Sequence, residues 1–144
     1  MKNRVFDSTS PEETYRIAAT FFDELRIGNV VVLEGDLGVG KTEFVRAICR
    51  CLKVTDIVTS PTFTLINQYD SDITNIYHID LYRIKNRDEL LELGFVELFA
   101  DNNSIFFIEW AENSFSLIPN IDYKISIKHN DNETTRIIEI ISMS

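Results

Sequence analysis

Cysteine is scarce in this sequence: Cys49 and Cys51 are the only two among 144 residues. They stand two apart in a segment with helical spacing, where their side chains point about 200° apart around the axis. Such a pair can neither bridge nor share one metal, so a disulfide scaffold is excluded; packing in a reducing compartment is the expectation, with a redox role as the alternative. Three prolines and five glycines are too few for a collagen-like or low-complexity chain. Basic residues also fall short, 14 Lys and Arg against 23 Asp and Glu, for a net charge of −9. Tight, direct nucleic-acid binding needs clustered cations to displace counterions from phosphates, so any service to an RNA pathway is indirect. No apolar stretch approaches the roughly 18 residues of a membrane span, and Lys2 and Arg4 precede only Val5 and Phe6 before polar residues. No membrane segment is expected, and the expected location is cytoplasmic.

What is present describes one globular domain over residues 1–144. Apolar residues make up 44% of the chain and charged residues 26%, close to globular averages, and the length suits a single core. Ser10, Pro11 and Glu13 form a helix start with a hydroxyl cap, a proline in the first turn and a glutamate placed to close a capping box. Ile17, Ala18, Phe21, Phe22 and Leu25 then recur at helical spacing, predicting a helix to about Arg26, ended by Gly28. Val30 to Leu33 is the continuous apolar run of a strand covered on both faces. From Lys41 to about Leu52 the spacing of Phe44, Val45, Ile48 and Leu52 predicts a second helix. Phe63 to Tyr69 and Asn75 to Ile84, joined by the polar turn Asp70-Ser71-Asp72, predict an antiparallel hairpin. A short helix over Asp88 to Leu93, closed by Gly94, precedes another turn over Phe95 to Phe99. A buried strand over Ser104 to Trp110 and a final hairpin of Asp122 to Lys128 with Thr134 to Ser142 complete the chain. The fold class expected is α/β: a single P-loop NTPase-like domain, with a mixed parallel and antiparallel sheet flanked by helices.

Between the first buried strand and the second helix runs Gly35-Asp36-Leu37-Gly38-Val39-Gly40-Lys41-Thr42, which satisfies G-x-x-x-x-G-K-[ST]. Glycines let the backbone curl so that successive N–H groups form an anion nest at a helix N-terminus. Lys41 can reach the β- and γ-phosphates of a triphosphate, a catalytic as well as a binding duty, and the Thr42 hydroxyl suits the magnesium ion that bridges them. At average residue usage a chance match has odds on the order of one in two hundred, and the strand-loop-helix setting is the one the motif requires.

A phosphate loop needs a carboxylate at the end of a neighbouring strand to orient magnesium and its waters. Glu109 is the candidate, because Ile105 to Ile108 lead it out of a buried strand at the carboxyl edge. Glutamate is not the usual aspartate, and its longer side chain suits action through a water; the alternative is an exposed strand-end acid. Asp80 lies in His78-Ile79-Asp80-Leu81-Tyr82-Arg83, where alternation puts Ile76, His78, Asp80 and Tyr82 on one face. An aspartate in such a segment needs a partner, either the attacking water, the magnesium shell or Arg83. His78 reads more simply as a satisfied core residue than as a catalyst. Ser60-Pro61-Thr62-Phe63-Thr64 follows the loop at the distance where P-loop proteins place a segment responding to the γ-phosphate, or it is a strand-entry turn. Trp110 serves packing or anchors a partner.

The lack of an N-K-x-D guanine-reading motif argues against a GTPase, since Asn86-Arg87-Asp88 has the wrong spacing. A small-molecule kinase remains, although no arginine-rich lid is evident, as does a nucleotide-dependent switch with negligible hydrolysis. The motif set resembles the TsaE (YjeE-type) P-loop ATPases of bacterial tRNA threonylcarbamoyladenosine biosynthesis: Gly-Asp-Leu-Gly-x-Gly-Lys-Thr at Gly35 to Thr42, Ser-Pro-Thr-Phe at Ser60 to Phe63, His-x-Asp-Leu-Tyr-Arg at His78 to Arg83, and Glu-Trp at Glu109 and Trp110. The resemblance covers nearly the whole chain. It implies a small α/β sandwich that hydrolyses ATP with Mg2+, weakly alone, in support of a TsaD and TsaB complex that modifies tRNA. It further implies that the loop from Gly38 to Glu43, including Val39, Gly40, Lys41 and Thr42, cradles the phosphates, that Thr42 and Glu109 hold magnesium, and that Asp80 is needed for hydrolysis. Two positions depart from the family pattern: Val39 stands for a common alanine, and Glu43 for a second threonine. The Glu43 carboxylate suits a helix N-terminus but repels phosphates unless it points away, so nucleotide affinity is the quantity affected. The adenine is implied to lie against Ser8 to Pro11 and Asp131 to Glu133.

Overall fold

The computed structural model describes residues 2–62, 64–132 and 134–143. Its strands are β1 (Lys2–Ser8), β2 (Val30–Glu34), β3 (Ile66–Asp70), β4 (Asn75–Asp80), β5 (Ser104–Glu109), β6 (Tyr123–His129) and β7 (Arg136–Ser142). The helices are α1 (Pro11–Phe22), α2 (Lys41–Cys51), α3 (Arg87–Glu92) and α4 (Phe95–Leu98). All seven strands join one sheet in the order β1-β7-β6-β2-β5-β4-β3. Strands β6, β2, β5 and β4 run parallel at its centre. Antiparallel strands close both edges, β3 on β4 at one side and β7 with β1 at the other. The sheet is therefore mixed and flanked by helices, as its alternating and continuous apolar runs require.

Alternation along the central strands divides their side chains between two cores. Val31 and Leu33 of β2 and Ile105 and Phe107 of β5 pack with α1 and α2, through Ala18, Phe21, Phe44, Val45 and Ile48. Val30, Phe106 and Ile108 pack on the opposite face with Leu90 of α3 and Phe95 of α4. Burial on both sides explains the unbroken apolar runs of β2 and β5. The same alternation carries Ile76, His78 and Asp80 of β4, and Glu109 of β5, to the α2 face. Strands β2, β4 and β5 all end at one sheet edge, where the loop to α2 begins.

Several boundaries differ from the sequence reading, each for a local reason. Helix α1 stops at Phe22, because the N–H groups of Glu24 and Leu25 turn to the carbonyls of Phe21 and Phe22. Its cap is half a box: Ser10 Oγ accepts from the Glu13 N–H at 3.2 Å, but the Glu13 carboxylate accepts from the Thr9 hydroxyl instead of the cap backbone. The full capping box belongs to α3, between Asn86 and Glu89. Strand β4 ends at Asp80, where the Leu81 N–H donates to the Glu109 carbonyl and the Asp80 side chain accepts from the Tyr82 N–H. Leu81 and Ile84 consequently fold under the sheet into the second core, and Tyr82 is exposed instead of sharing a face with His78. Strand β3 begins at Ile66, after Leu65 in the left-handed region (φ 73°); Phe63 lies outside the described residues. Strand β1 escaped the sequence reading because an edge strand is held by its backbone ladder to β7, which demands no apolar alternation.

Cys49 is buried and Cys51 half-buried, and both are free thiols. Burial, and then Asp56 and Cys51, push the Cys49 thiol up to about 12. Thiol alkylation of the native chain at pH 8, read by peptide mass, is expected to spare Cys49 and to label it only after denaturation. Native labelling of Cys49 at the denatured rate would contradict its place in the core.

Candidate functional site

The loop after β2 is shaped by close approach to β6. A Cβ on Gly35 would stand 2.4 Å from the Ile127 carbonyl oxygen and 2.7 Å from Val39 Cγ1, and its φ of 149° is itself disfavoured for other residues. Gly38 (φ 75°) and Gly40 (φ 120°) complete the curl that delivers the chain to α2. Val39 turns its side chain into the core at 1% exposure, so the larger residue in place of alanine fills apolar space. Its N–H donates to the Asp36 carbonyl at 3.3 Å, and its carbonyl accepts from Arg136 Nε at 2.6 Å. Beyond Gly40 the first-turn N–H groups of α2, those of Lys41, Thr42 and Glu43, have no acceptor inside the helix and form the positive end of its dipole.

Lys41 and Glu109 meet at the strand edge, both almost wholly buried. Lys41 Nζ donates to the Gly35 carbonyl at 2.6 Å and lies 3.3 Å from Glu109 Oε1. Glu109 Oε2 lies 2.6 Å from His78 Nε2. Burial pushes the Glu109 carboxyl up, but the hydrogen bond from His78, together with Lys41, outweighs it and holds the group below the ordinary carboxylate value. The side chain is thus ionised at neutral pH and buried with two donors, so the reading of an exposed strand-end acid is ruled out. Trp110, in the left-handed region at φ 59°, sets its ring 5.5 Å from Lys41 Nζ and 4.9 Å from the Tyr82 ring.

Asp80 stands opposite Glu109 in the parallel register and is 2% exposed. Its Oδ2 accepts from the Thr62 hydroxyl at 3.0 Å and its Oδ1 from the Tyr82 N–H at 2.9 Å. Thr62 is in turn bonded to the Ser60 hydroxyl at 2.8 Å. The Ser60-Pro61-Thr62 segment is tied to β3, because Asn67 Nδ2 donates to the Thr59 carbonyl and the Thr59 N–H donates to the Tyr69 hydroxyl. Ser60, Thr62, Thr42, Glu43, Lys41 and Glu109 together line a cleft of about 260 Å³ over the loop.

A second cavity, of about 370 Å³, opens on the other side of the loop between the start of α1 and β7. Ser8 to Pro11 form one wall and Thr134 and Arg136 the other, with Gly40 and Glu43 at the junction with the cleft. Glu43 faces both spaces. The N-terminal segment named from the resemblance therefore does border the loop, while the opposite wall is carried by Thr134 and Arg136; Glu133 lies outside the described residues. Sequence reasoning missed Arg136, and missed His78 as the partner of Glu109. Nothing local in the sequence signals either, since Arg136 reaches Val39 across 97 positions and His78 reaches Glu109 across 31. Only strand pairing brings them together.

The chain is similar to known proteins along most of its length. The model of the family described as "Threonylcarbamoyl adenosine biosynthesis protein TsaE" matches residues 8–138. A Rickettsia typhi protein named tRNA threonylcarbamoyladenosine biosynthesis protein TsaE is 42% identical over 125 residues, 85% of each chain. The Bacillus subtilis protein of the same name is 36% identical over 137 residues, 95% of this chain and 85% of its own. The Borreliella burgdorferi protein is 33% identical, over 94% of this chain and 98% of its own. The crystal structure of Bacillus subtilis YdiB superposes with a TM-score of 0.80 at 31% identity, covering 99% of this chain and 87% of that one. Matched along most of its length in sequence and in fold, this chain belongs to the TsaE family.

Proposed function

We propose that the chain binds ATP with magnesium and hydrolyses it, in the service of threonylcarbamoyladenosine formation on tRNA by a complex of TsaD and TsaB. The observation that carries this reading is the convergence of Lys41, Thr42, Thr62 and the ionised Glu109 in one cleft over the glycine loop. The triphosphate lies along the loop, with Gly38 to Glu43 providing backbone N–H groups and Lys41 its charge. Adenine and ribose extend into the cavity between Ser8 to Pro11 and Arg136. Among the described residues no cluster of three or more His, Cys, Asp or Glu side chains could hold a metal alone. A cation that arrives with phosphates needs only one or two protein donors, and the Thr42 hydroxyl and the Glu109 carboxylate fit that need. Magnesium held there would supply charge neutralisation to the phosphates.

Asp80 takes the hydrolytic role. Each of its oxygens accepts one hydrogen bond, so the carboxylate retains capacity to accept from a water, and Thr62 connects it to the cleft. Support for the pathway comes from the family. The chain's acidity suits a subunit that works on a protein partner and meets tRNA only through it. Among the described residues no helix is long and apolar enough to cross a membrane, consistent with work in the cytoplasm.

Magnesium-dependent ATP hydrolysis by the purified chain is expected to be slow alone and to rise when TsaB and TsaD are added; turnover that required an added hydroxylated metabolite would point to a kinase instead. Lys41→Ala is expected to weaken ATP binding strongly in calorimetry, and an unaltered affinity would remove the phosphate-loop assignment. Asp80→Ala is expected to bind ATP while hydrolysis falls at least about tenfold. Glu43→Thr removes a negative charge beside the phosphates and is expected to tighten ATP binding by roughly 1 kcal/mol, about fivefold.

A further inference from the structure

His78 is fully buried in the middle of β4, two residues before Asp80 and on the same face. Nε2 makes the 2.6 Å contact with Glu109, while Nδ1 is buried without a hydrogen-bond partner among the described residues. An ionised carboxylate only accepts, so Nε2 carries the proton and donates. A histidine kept purely for packing would be a poor choice here, because an unpartnered ring nitrogen is costly to bury and an aliphatic side chain would fill the space without it. The value of the residue lies in its one bond. That bond also explains the length of its partner. In the register Asp80 faces Glu109 and His78 faces Phe107, so the carboxylate must lean back along β4 to meet Nε2 while its other oxygen stays 3.3 Å from Lys41. Aspartate, one methylene shorter, could not span both.

We infer that His78 is a positioning residue: its Nε2–H clamps one oxygen of Glu109 so that the other is held toward Lys41 and the cation accompanying the nucleotide. The inference rests on the proposed role of Glu109 at that cation. Partners that orient a ligating carboxylate commonly change metal affinity by about 10- to 100-fold when removed, and the expected effect has that size.

The test uses Mn2+ as the probe, its affinity for the ADP complex of the full chain read by electron paramagnetic resonance, beside ADP affinity in EDTA by calorimetry. His78→Gln places an amide nitrogen near the Nε2 position, His78→Asn near Nδ1, and His78→Leu removes the donor. His78→Gln should stay close to the parent chain. His78→Asn and His78→Leu should lose Mn2+ affinity by about tenfold or more, with metal-free ADP affinity within about twofold. Equal Mn2+ affinity in the Gln and Asn variants, two polar side chains that differ in reach, would overturn the inference even if the Leu variant does not fold. Parallel loss of Mn2+ and of metal-free ADP binding would also overturn it, by assigning His78 to the fold. Glu109→Gln separates the two levels: Mn2+ affinity unchanged there would overturn the metal role of Glu109 and the inference with it, whereas a loss confined to Glu109→Gln would overturn the role of His78 alone.

Discussion

A carboxylate buried at 4% exposure and kept ionised is the constraint around which this site is organised. A lone charge there would protonate or be driven out. Lys41 and His78 prevent that, and each comes from a different part of the fold: the lysine from the first turn of α2, the histidine from β4, the glutamate from the end of β5. The charge is therefore stable only when the loop, the helix and both strands are in place. Local electrostatics and global topology are one condition here.

The surrounding elements serve that meeting point. The loop can present Lys41 because Gly35 passes within contact distance of β6, where no side chain fits, and because Val39 fills the core beneath it. Arg136 at the start of β7 holds the Val39 carbonyl, so the edge hairpin, far away in sequence, steadies the glycine-rich turn. On the other side Asn67 and Tyr69 of β3 hold the segment leading to Thr62, which reaches Asp80. Both antiparallel edges of the sheet thus act as braces for loops over its parallel centre, and both loops border the same cleft.

Much of this was legible in the residues. The glycine loop was placed between a strand and an amphipathic helix, where the structure has it, and the strand leading to Glu109 pointed to its edge position. Less was legible where the signal is not local. Strand β1 has no apolar alternation because a backbone ladder holds it. Leu81 and Ile84 looked like strand, yet they tuck into the second core once Asp80 caps the turn. The capping box seen at Ser10 and Glu13 is only half made, whereas the complete one at Asn86 and Glu89 passed unnoticed, because the choice of partner for a glutamate depends on which neighbours surround it.

The sequence by itself determined most of the element types, the glycine-rich loop and the acidic residues available for chemistry, since periodicity, glycine placement and charge are properties of neighbouring positions. Tertiary structure alone decided which of those residues meet. The bond from His78 to Glu109 spans 31 positions and that from Arg136 to Val39 spans 97. Contacts of that range are set by strand order and parallel register, which follow from burying two apolar faces at once and not from any local run of residues.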